Sequence, residues 1–420
     1  MSLDSSEATT APPLIPLHCV QFTEPGPPVL AALRTGTPVW VVRRHADVRQ
    51  ALTDPRLNRA SLYAPDAPAL TPYPNLLDDP DGILNIDGTE HQRLRRTVQR
   101  AFTPRAIAHW RPWVAAVVDG LLDDLTDAGR PADLVAAFTR PLPIAVISRL
   151  MGLDGLDLQR LAYWSDHALS ASAHTPQAVQ QAMREFGQFA ATVLAERRAA
   201  PGEDLVSSLV QAADQGRDQG ADQGAEATEA QLVALVCGLV VAGHETTMTS
   251  LGNALVFLLD ETREADGTPR GAGGREQWRR LGTGEADAAA AAEQLLRTIP
   301  LSDADVLPGL LRRAVADVEI GGVLIPAGSV VAAETTGANH DRRIYPADLD
   351  LFAPLPTPSL TFGAGPHHCL GAWLARMELE LALHRLARRL PGLRLDLDPA
   401  DLEWRRGLLT RSPAVLPVTW

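Results

Sequence analysis

Ten residues near the C-terminus, Phe362-Gly-Ala-Gly-Pro-His-His-Cys-Leu-Gly371, place a single cysteine among glycines and two histidines. The apolar spacing that follows, from Leu370 to Leu390, predicts an amphipathic helix, so Cys369 stands at a helix N-terminus. There the helix dipole and unpaired backbone N–H groups favour a thiolate, and a thiolate suits a metal. Gly363 and Gly365 allow backbone angles that other residues resist, and Gly371 lets something flat and bulky approach the chain. His367, two residues before the cysteine, could donate to an anionic group. The bland alternative makes Cys369 one more small buried hydrophobe in a turn, as most free cysteines are.

Three other groupings carry chemistry. Gln231 to Leu259 reads as a long apolar helix with a polar interruption, Ala242-Gly-His-Glu-Thr-Thr247. A carboxylate and threonines at mid-helix are costly unless paired or functional, although threonine can also bond back to the carbonyl one turn earlier. His91 and Arg95 lie four residues apart on one face of a helix opened by Asp87 or Thr89, a spacing also met on solvated basic faces. Glu293 and Arg297 share that spacing on a helix restarting at Ala288 to Ala292, ordinarily a surface pair worth a few tenths of a kcal/mol.

The elements that must position these groups follow from pattern and punctuation. Residues 1–29 read as an irregular leader and 30–420 as one domain. Pro38 to Arg43 alternates like a strand before a helical pattern from Ala46 to Asp54. Proline and aspartate crowd Ser61 to Asp87, which predicts a long loop. Trp110 to Arg197 gives several amphipathic helices, in which His167 and His174 read as surface or packing residues. The repeats at Asp214-Gln-Gly, Asp218-Gln-Gly and Asp222-Gln-Gly predict an insertion unable to bury itself. Asp260 to Asp287 reads as irregular, and Val318 to Ile325 as a strand pair turning at Gly321-Gly322.

Composition bounds the function. The chain has 420 residues, 45% of them hydrophobic, and a net charge of −13; its 38 basic residues are all arginines. An acidic chain without a basic tract argues against nucleic acid. Cys19, Cys237 and Cys369 are too scattered for a disulfide framework, which points to a reducing cytoplasm. The first twenty residues lack a basic start and an apolar block, and the run from Leu232 to Gly243 is too short to span a bilayer, so no membrane partner is expected.

The pattern Phe-Gly-x-Gly-x-His-x-Cys-x-Gly resembles the cysteine-ligand loop of the cytochrome P450 family, the haem-thiolate monooxygenases. Phe362, Gly363, Gly365, His367, Cys369 and Gly371 fill every fixed position. The resemblance implies a mainly α fold with small β-sheets, one buried haem b, and Cys369 as the axial thiolate, pushing electron density toward the metal. It implies that Ala242 and Gly243 lie over the haem, with Gly243 leaving room for dioxygen, and that Glu245 and Thr246 are the acid and alcohol that relay protons. His91, Arg95 and Arg312 would hold propionates, and the helix carrying Glu293 and Arg297 coincides with the family's Glu-x-x-Arg lock.

By the same resemblance Leu62 to Ile86 and Pro300 to Leu311 line the substrate pocket, and a hairpin at Leu408 to Pro413 reaches the substrate. Arg93, Arg96, Arg100 and Arg105 would dock an acidic ferredoxin, itself served by a ferredoxin reductase. Two departures stand out. Leu351 precedes Phe352 where the family usually has an arginine, and Ser359 lies near the place of a usual histidine.

The expected activity is hydroxylation or epoxidation of a mostly apolar small molecule with dioxygen, in natural-product biosynthesis. Oxidative C–C or C–N coupling at the same haem centre is the alternative. A non-catalytic haem sensor or carrier belongs to another class, and would not need Glu245 and Thr246. A zinc site on Cys369, His367 and His368 is disfavoured because ligands so close in sequence wrap a tetrahedral ion poorly.

Overall fold

The computed structural model describes residues 15–16, 24–71, 78–153, 157–218, 227–260, 275–302 and 308–420. Its helices are α1 (His45–Thr53), α2 (Gly88–Gln99), α3 (Pro104–Ala128), α4 (Pro141–Met151), α5 (Leu158–Ala168) and α6 (Pro176–Ala199). They continue with α7 (Leu205–Asp218), α8 (Glu229–Leu259), α9 (Arg275–Thr283), α10 (Glu285–Thr298), α11 (Thr335–Asn339) and α12 (Ala372–Arg389). Local chemistry sets several starts. Thr103 and Thr175 accept from the N–H groups of Ala106 and Ala178, and each precedes a proline at the first helical position. Thr228 and Gln231 cap α8 reciprocally, side chain to backbone in both directions.

The strands are short: β1 (Ile15–Pro16), β2 (Val29–Ala32), β3 (Pro38–Val42), β4 (Leu57–Asn58), β5 (Ala132–Asp133) and β6 (Leu310–Ala314). After them come β7 (Val318–Ile320), β8 (Val323–Ile325), β9 (Val330–Ala333), β10 (Arg394–Leu395) and β11 (Pro417–Thr419). One sheet runs β1-β2-β3-β9-β6-β4, a second β10-β11-β5, and β7 pairs with β8 alone. In the large sheet β3 and β9 are parallel, with Trp40 opposite Val331, whereas β6 runs antiparallel to β9 with Arg312 opposite Val331. That register puts Arg312 at the centre of β6, one strand in from the β4 edge of the sheet.

The main core lies among the helices, where Leu94, Phe138, Trp164, Phe186, Leu251 and Leu381 belong to one buried cluster. The indole of Trp164 stacks on Phe186 with centroids 4.9 Å apart. Each such side chain removed from water contributes roughly 1.5–3 kcal/mol. Helix α8 is long and apolar enough to cross a membrane by composition, yet 72% of its most apolar window is buried inside the protein. It is packed on most sides by neighbouring helices.

Some expectations change. Residues 275–283 form a helix in place of the expected irregular connection, because Trp278 and Leu281 bury one turn apart and the indole N–H donates to the Leu390 carbonyl at 2.9 Å. Two apolar residues in an arginine-rich stretch give too weak a periodic signal to read from sequence. Helix α7 carries the Asp-Gln-Gly tract as far as Asp218, and 219–226 lie outside the described residues, as does most of the leader. Leu62 and Ile86, the ends of the expected pocket roof, are buried in two separate hydrophobic clusters. Near the C-terminus single bridges join Trp404 to Pro413, Ser302 to Thr410 and Ser170 to Leu408.

Candidate functional site

The cysteine loop is closed by its own backbone. The Cys369 N–H donates to the Phe362 carbonyl at 2.9 Å, and the Gly363 N–H donates to the Leu360 carbonyl at 2.9 Å. Gly363 and Gly365 both have φ of +70°, and a Cβ on Gly365 would meet the Leu52 carbonyl oxygen at 2.6 Å. The loop therefore presses against α1 at a point where only glycine fits. Phe362 packs on Ala292, Leu296 and Leu379, with the Arg376 guanidinium 4.5 Å from its ring centroid.

Cys369 is exposed, just before the first turn of α12. Surrounding protein still desolvates it strongly, which raises the thiol pKa against the opposing pull of the Gly371 and Ala372 N–H groups, Arg95 and Arg376. No group of three or more His, Cys, Asp or Glu among the described residues is placed to hold a metal ion. The site offers one thiolate, with the remaining ligands to come from elsewhere.

Helix α8 presents a matching open stripe. Ala242 is exposed and Gly243 and Thr246 are half-buried, while His244, Glu245 and Thr247 are buried. The Thr246 hydroxyl donates to the Ala242 carbonyl at 2.6 Å, the back-bond expected of a mid-helix threonine. Glu245 points elsewhere. One carboxylate oxygen accepts from Arg405 at 2.6 Å and from the Thr410 hydroxyl at 3.0 Å, and the other has no partner. Arg405 in turn donates to Asp166 at 2.6 Å. Burial raises the Glu245 pKa, and Arg405 opposes it.

The acid and the alcohol are thus neighbours in sequence that the structure does not bring into contact. His244 is buried with both ring nitrogens unpartnered, and burial, followed by Arg140 and Arg405, lowers its pKa to about 3. Gly243 has a packing reason of its own: a Cβ there would meet Ile147 of α4 at 2.8 Å. Close approach of α4 to α8 requires this glycine, whatever room it also leaves on the open side.

Around the cysteine loop cations gather with little to neutralise them. His91 is 2% exposed and Arg312 3% exposed. The Arg312 guanidinium donates to the neighbouring Leu311 carbonyl at 2.8 Å and bonds directly to no carboxylate among the described residues, Asp87 acting on it only through its field. Burial, reinforced by Arg59, lowers its pKa to about 9. The His91 imidazole lies 4.2 Å from that of His367, with Nδ1 unpartnered, and its pKa falls to about 4 through burial and then the nearby cations. Arg95 reaches across from α2 to donate to the His368 carbonyl at 2.5 Å.

Asp87 is the acid in this cluster, and it is already occupied. Its carboxylate accepts from His367 at 2.8 Å and from the Arg59 and Ala60 N–H groups at 2.7 Å each. Burial alone would raise its pKa, but these bonds outweigh it and hold the value at about 2. Contrary to its expected role as a helix cap, its side chain makes no cap bond to α2. A set of desolvated cations with an orphaned imidazole nitrogen calls for a bound anion, and the carboxylates of haem b fit that donor set.

Several expected placements are corrected. Arg96, Arg100 and Arg105 are exposed, but Arg93 is half-buried with Nε unpartnered. Glu293 does not pair with Arg297. It binds Arg376 of α12, while Arg297 takes Gln294 as its partner at 3.0 Å. Leu351 is buried in the helical core, and Phe352 lies under the Arg280 guanidinium at 3.9 Å. Ser359 donates to the Thr361 hydroxyl at 3.2 Å. Sequence reasoning misses Asp87, Arg405, Gln294 and Asn339 as site residues, since their partners are remote in the chain.

The cytochrome P450 family model matches residues 303–391. Nocardicin C N-oxygenase of Nocardia uniformis subsp. tsuyamanensis is 39% identical over 398 residues, 94% of this chain and 92% of its own length. Mycinamicin IV hydroxylase/epoxidase of Micromonospora griseorubida is 38% identical over 386 residues, 92% of this chain and 90% of its own. Among solved structures, that of HinD with NMFT and NO superposes with a TM-score of 0.84 at 34% identity, covering 98% of this chain and 100% of that one.

Proposed function

The chain belongs to the cytochrome P450 family, and on that premise we propose that Cys369 supplies the thiolate of its haem. The protein is a monooxygenase that binds haem b through a cysteine thiolate and acts on a small molecule with dioxygen and redox partners. When bound, the haem supplies the oxygen-activating redox chemistry. His91, Arg95 and Arg312 would hold its propionates, and the Asp87 to His367 bond would fix the loop between them. Phe362, Gly363, Gly365 and Gly371 shape the loop, and Ala242 and Gly243 would lie over the macrocycle.

Thr246 holds a proton at its hydroxyl on the open stripe of α8. Glu245 is the acid one residue away, and while Arg405 and Thr410 hold it, delivery from its carboxyl requires that grip to loosen. The reaction is oxygenation of a natural product, hydroxylation or epoxidation, with oxidative coupling the less favoured outcome. Relatives matched over nearly their whole length carry the names of an oxygenase and a hydroxylase/epoxidase, which sets aside the non-catalytic sensor or carrier. We read 30–420 as a single catalytic domain in the cytoplasm. Its electrons would come from a ferredoxin and ferredoxin reductase through the exposed face of Arg96, Arg100 and Arg105.

The observation that carries this reading is the set of buried, acid-poor cations beside an exposed thiol. The absorption spectrum of the reduced, carbon-monoxide-bound protein tests it. Wild type should give the strongly red-shifted thiolate-type Soret band and Cys369→Ser should lose it. A serine variant that keeps the band would remove Cys369 as ligand.

A further inference from the structure

Helix α10 meets the segment leading into the cysteine loop through a chain of buried side chains that contains no carboxylate. Gln294 is 5% exposed, Arg297 6% and Asn339 3%. The Gln294 amide uses both of its ends: Nε2 donates to the Ala353 carbonyl at 2.9 Å and Oε1 accepts from Arg297 Nε at 3.0 Å. Arg297 donates onward to the Asn339 carbonyl at 2.8 Å and lies 4.9 Å from the ring centroid of Tyr345. The Tyr345 hydroxyl donates to the Pro358 carbonyl at 3.2 Å.

Asn339 then grips the segment that enters the loop. Its Oδ1 accepts from the Leu360 N–H at 2.7 Å and its Nδ2 donates to the Thr361 hydroxyl at 2.9 Å. That hydroxyl donates back to the Leu296 carbonyl of α10 at 2.7 Å. The next residue is Phe362, whose carbonyl accepts from Cys369 N–H. The chain of contacts therefore runs from Gln294 to the residue that closes the loop.

We propose that Gln294 is a positioning residue for Cys369, acting through Arg297 and Asn339 as a neutral latch in the place where the Glu-x-x-Arg pattern has its acid. Gln294 stands three residues before Arg297, the spacing of that pattern; Glu293 does not. An amide suits the site for a physical reason. It must donate to Ala353 as well as accept from Arg297, and a carboxylate can only accept. The small cavity beside it, about 50 Å³, is also lined by Asp348 and Asp350, which disfavour a third carboxylate.

Glu293 acts elsewhere, in a partly exposed pair with Arg376 whose side-chain exposures are 32% and 23%. Arg297 keeps its charge without an acid because Gln294 Oε1 and the Asn339 carbonyl accept from it and the Tyr345 ring lies 4.9 Å from its guanidinium carbon.

The inference rests on Cys369 as the haem ligand, and the experiment separates the two. Gln294→Leu, Gln294→Glu, Glu293→Gln and Cys369→Ser holoproteins are reduced under carbon monoxide, and the share of thiolate-type to neutral-thiol-type Soret band is measured with the thermal midpoint. Gln294→Leu should lower the thiolate share severalfold and the midpoint by about 3 °C or more. Gln294→Glu, which keeps the acceptor for Arg297, should retain most of the thiolate band, and Glu293→Gln should retain all of it. The latch is overturned if Gln294→Leu keeps the wild-type share, if Gln294→Glu is as defective as the leucine variant, or if Glu293→Gln reproduces the loss. If Gln294→Leu yields no holoprotein, the glutamate and glutamine variants decide alone. Persistence of the thiolate band in Cys369→Ser would instead remove the ligand assignment beneath the latch.

Discussion

Arginines on the outer faces of α3 and α12 and those around the cysteine loop are chemically identical and placed under opposite rules. Between the two helices Arg111 meets Glu380, Arg385 meets Asp119 and Arg389 meets Asp123, and Arg111 also reaches Glu285 of α10. Each of these three cations has its acid, and each pair is at least partly exposed. At the loop Arg312 is desolvated beside His91 and Arg95, and Asp87 is already occupied by His367 and backbone N–H groups. An exposed pair is a minor contributor, whereas buried cations clustered together, with neither a free acid nor a full set of neutral acceptors, favour a bound anion. The contrast locates a ligand site by charge balance, without a ligand.

Arg312→Met should break that contrast with the largest effect. Losing a charge-assisted bond of roughly 1.5–3 kcal/mol should speed haem transfer to an acceptor protein by about tenfold or more. The haem-free chain should melt at the same temperature or higher, because an uncompensated guanidinium has been removed. Equal losses in both measurements would make Arg312 a structural cation.

Glu378 sharpens the comparison from the acid side. It is fully buried, one oxygen lacks a partner, and desolvation raises its pKa well above 4.5. An acid whose folded pKa is raised holds its proton in the folded state, so its contribution is fully present below about 4.5 and is lost as pH rises toward the folded pKa. Glu378→Gln should match wild type near that lower limit and melt progressively higher than wild type on the alkaline side, by about 1.4 kcal/mol per pH unit. A gap that stays constant across the titration would mean that Glu378 is not protonated.

The smallest effect belongs to the exposed set. Arg389→Met should cost no more than about 0.5 kcal/mol and should become indistinguishable from wild type in high salt. A larger, salt-resistant loss would mean that this pair is not the ordinary surface bridge its exposure indicates.

Much of the scaffold is legible in the sequence because its signals are local. Thr103-Pro104, Thr175-Pro176 and the Thr228 to Gln231 box mark helix starts in the residues themselves, and the Gly321-Gly322 turn lies where β7 gives way to β8. The cysteine loop is legible for the same reason, since its glycines and its helix lie within a few residues of Cys369. Spacing alone misplaces the latch by one residue: Glu293 and Arg297 have a familiar helical separation, but their helix presents them to different neighbours, α12 for one and the Asn339 carbonyl for the other. Glu245 reads in sequence as the partner of Thr246, and 160 residues separate it from the Arg405 that holds it.

The amino-acid sequence determined where helices start, which cysteine stands at a helix N-terminus and which residue types surround it, because dihedral preference and capping act over a few residues. Tertiary structure decided which charges are neutralised. Asp87 and His367 meet across 280 residues, and Arg95 and the His368 carbonyl across 273. Whether a cation is paired, and therefore whether it awaits a ligand, depends on such distances and on exclusion of water, neither of which a linear spacing contains.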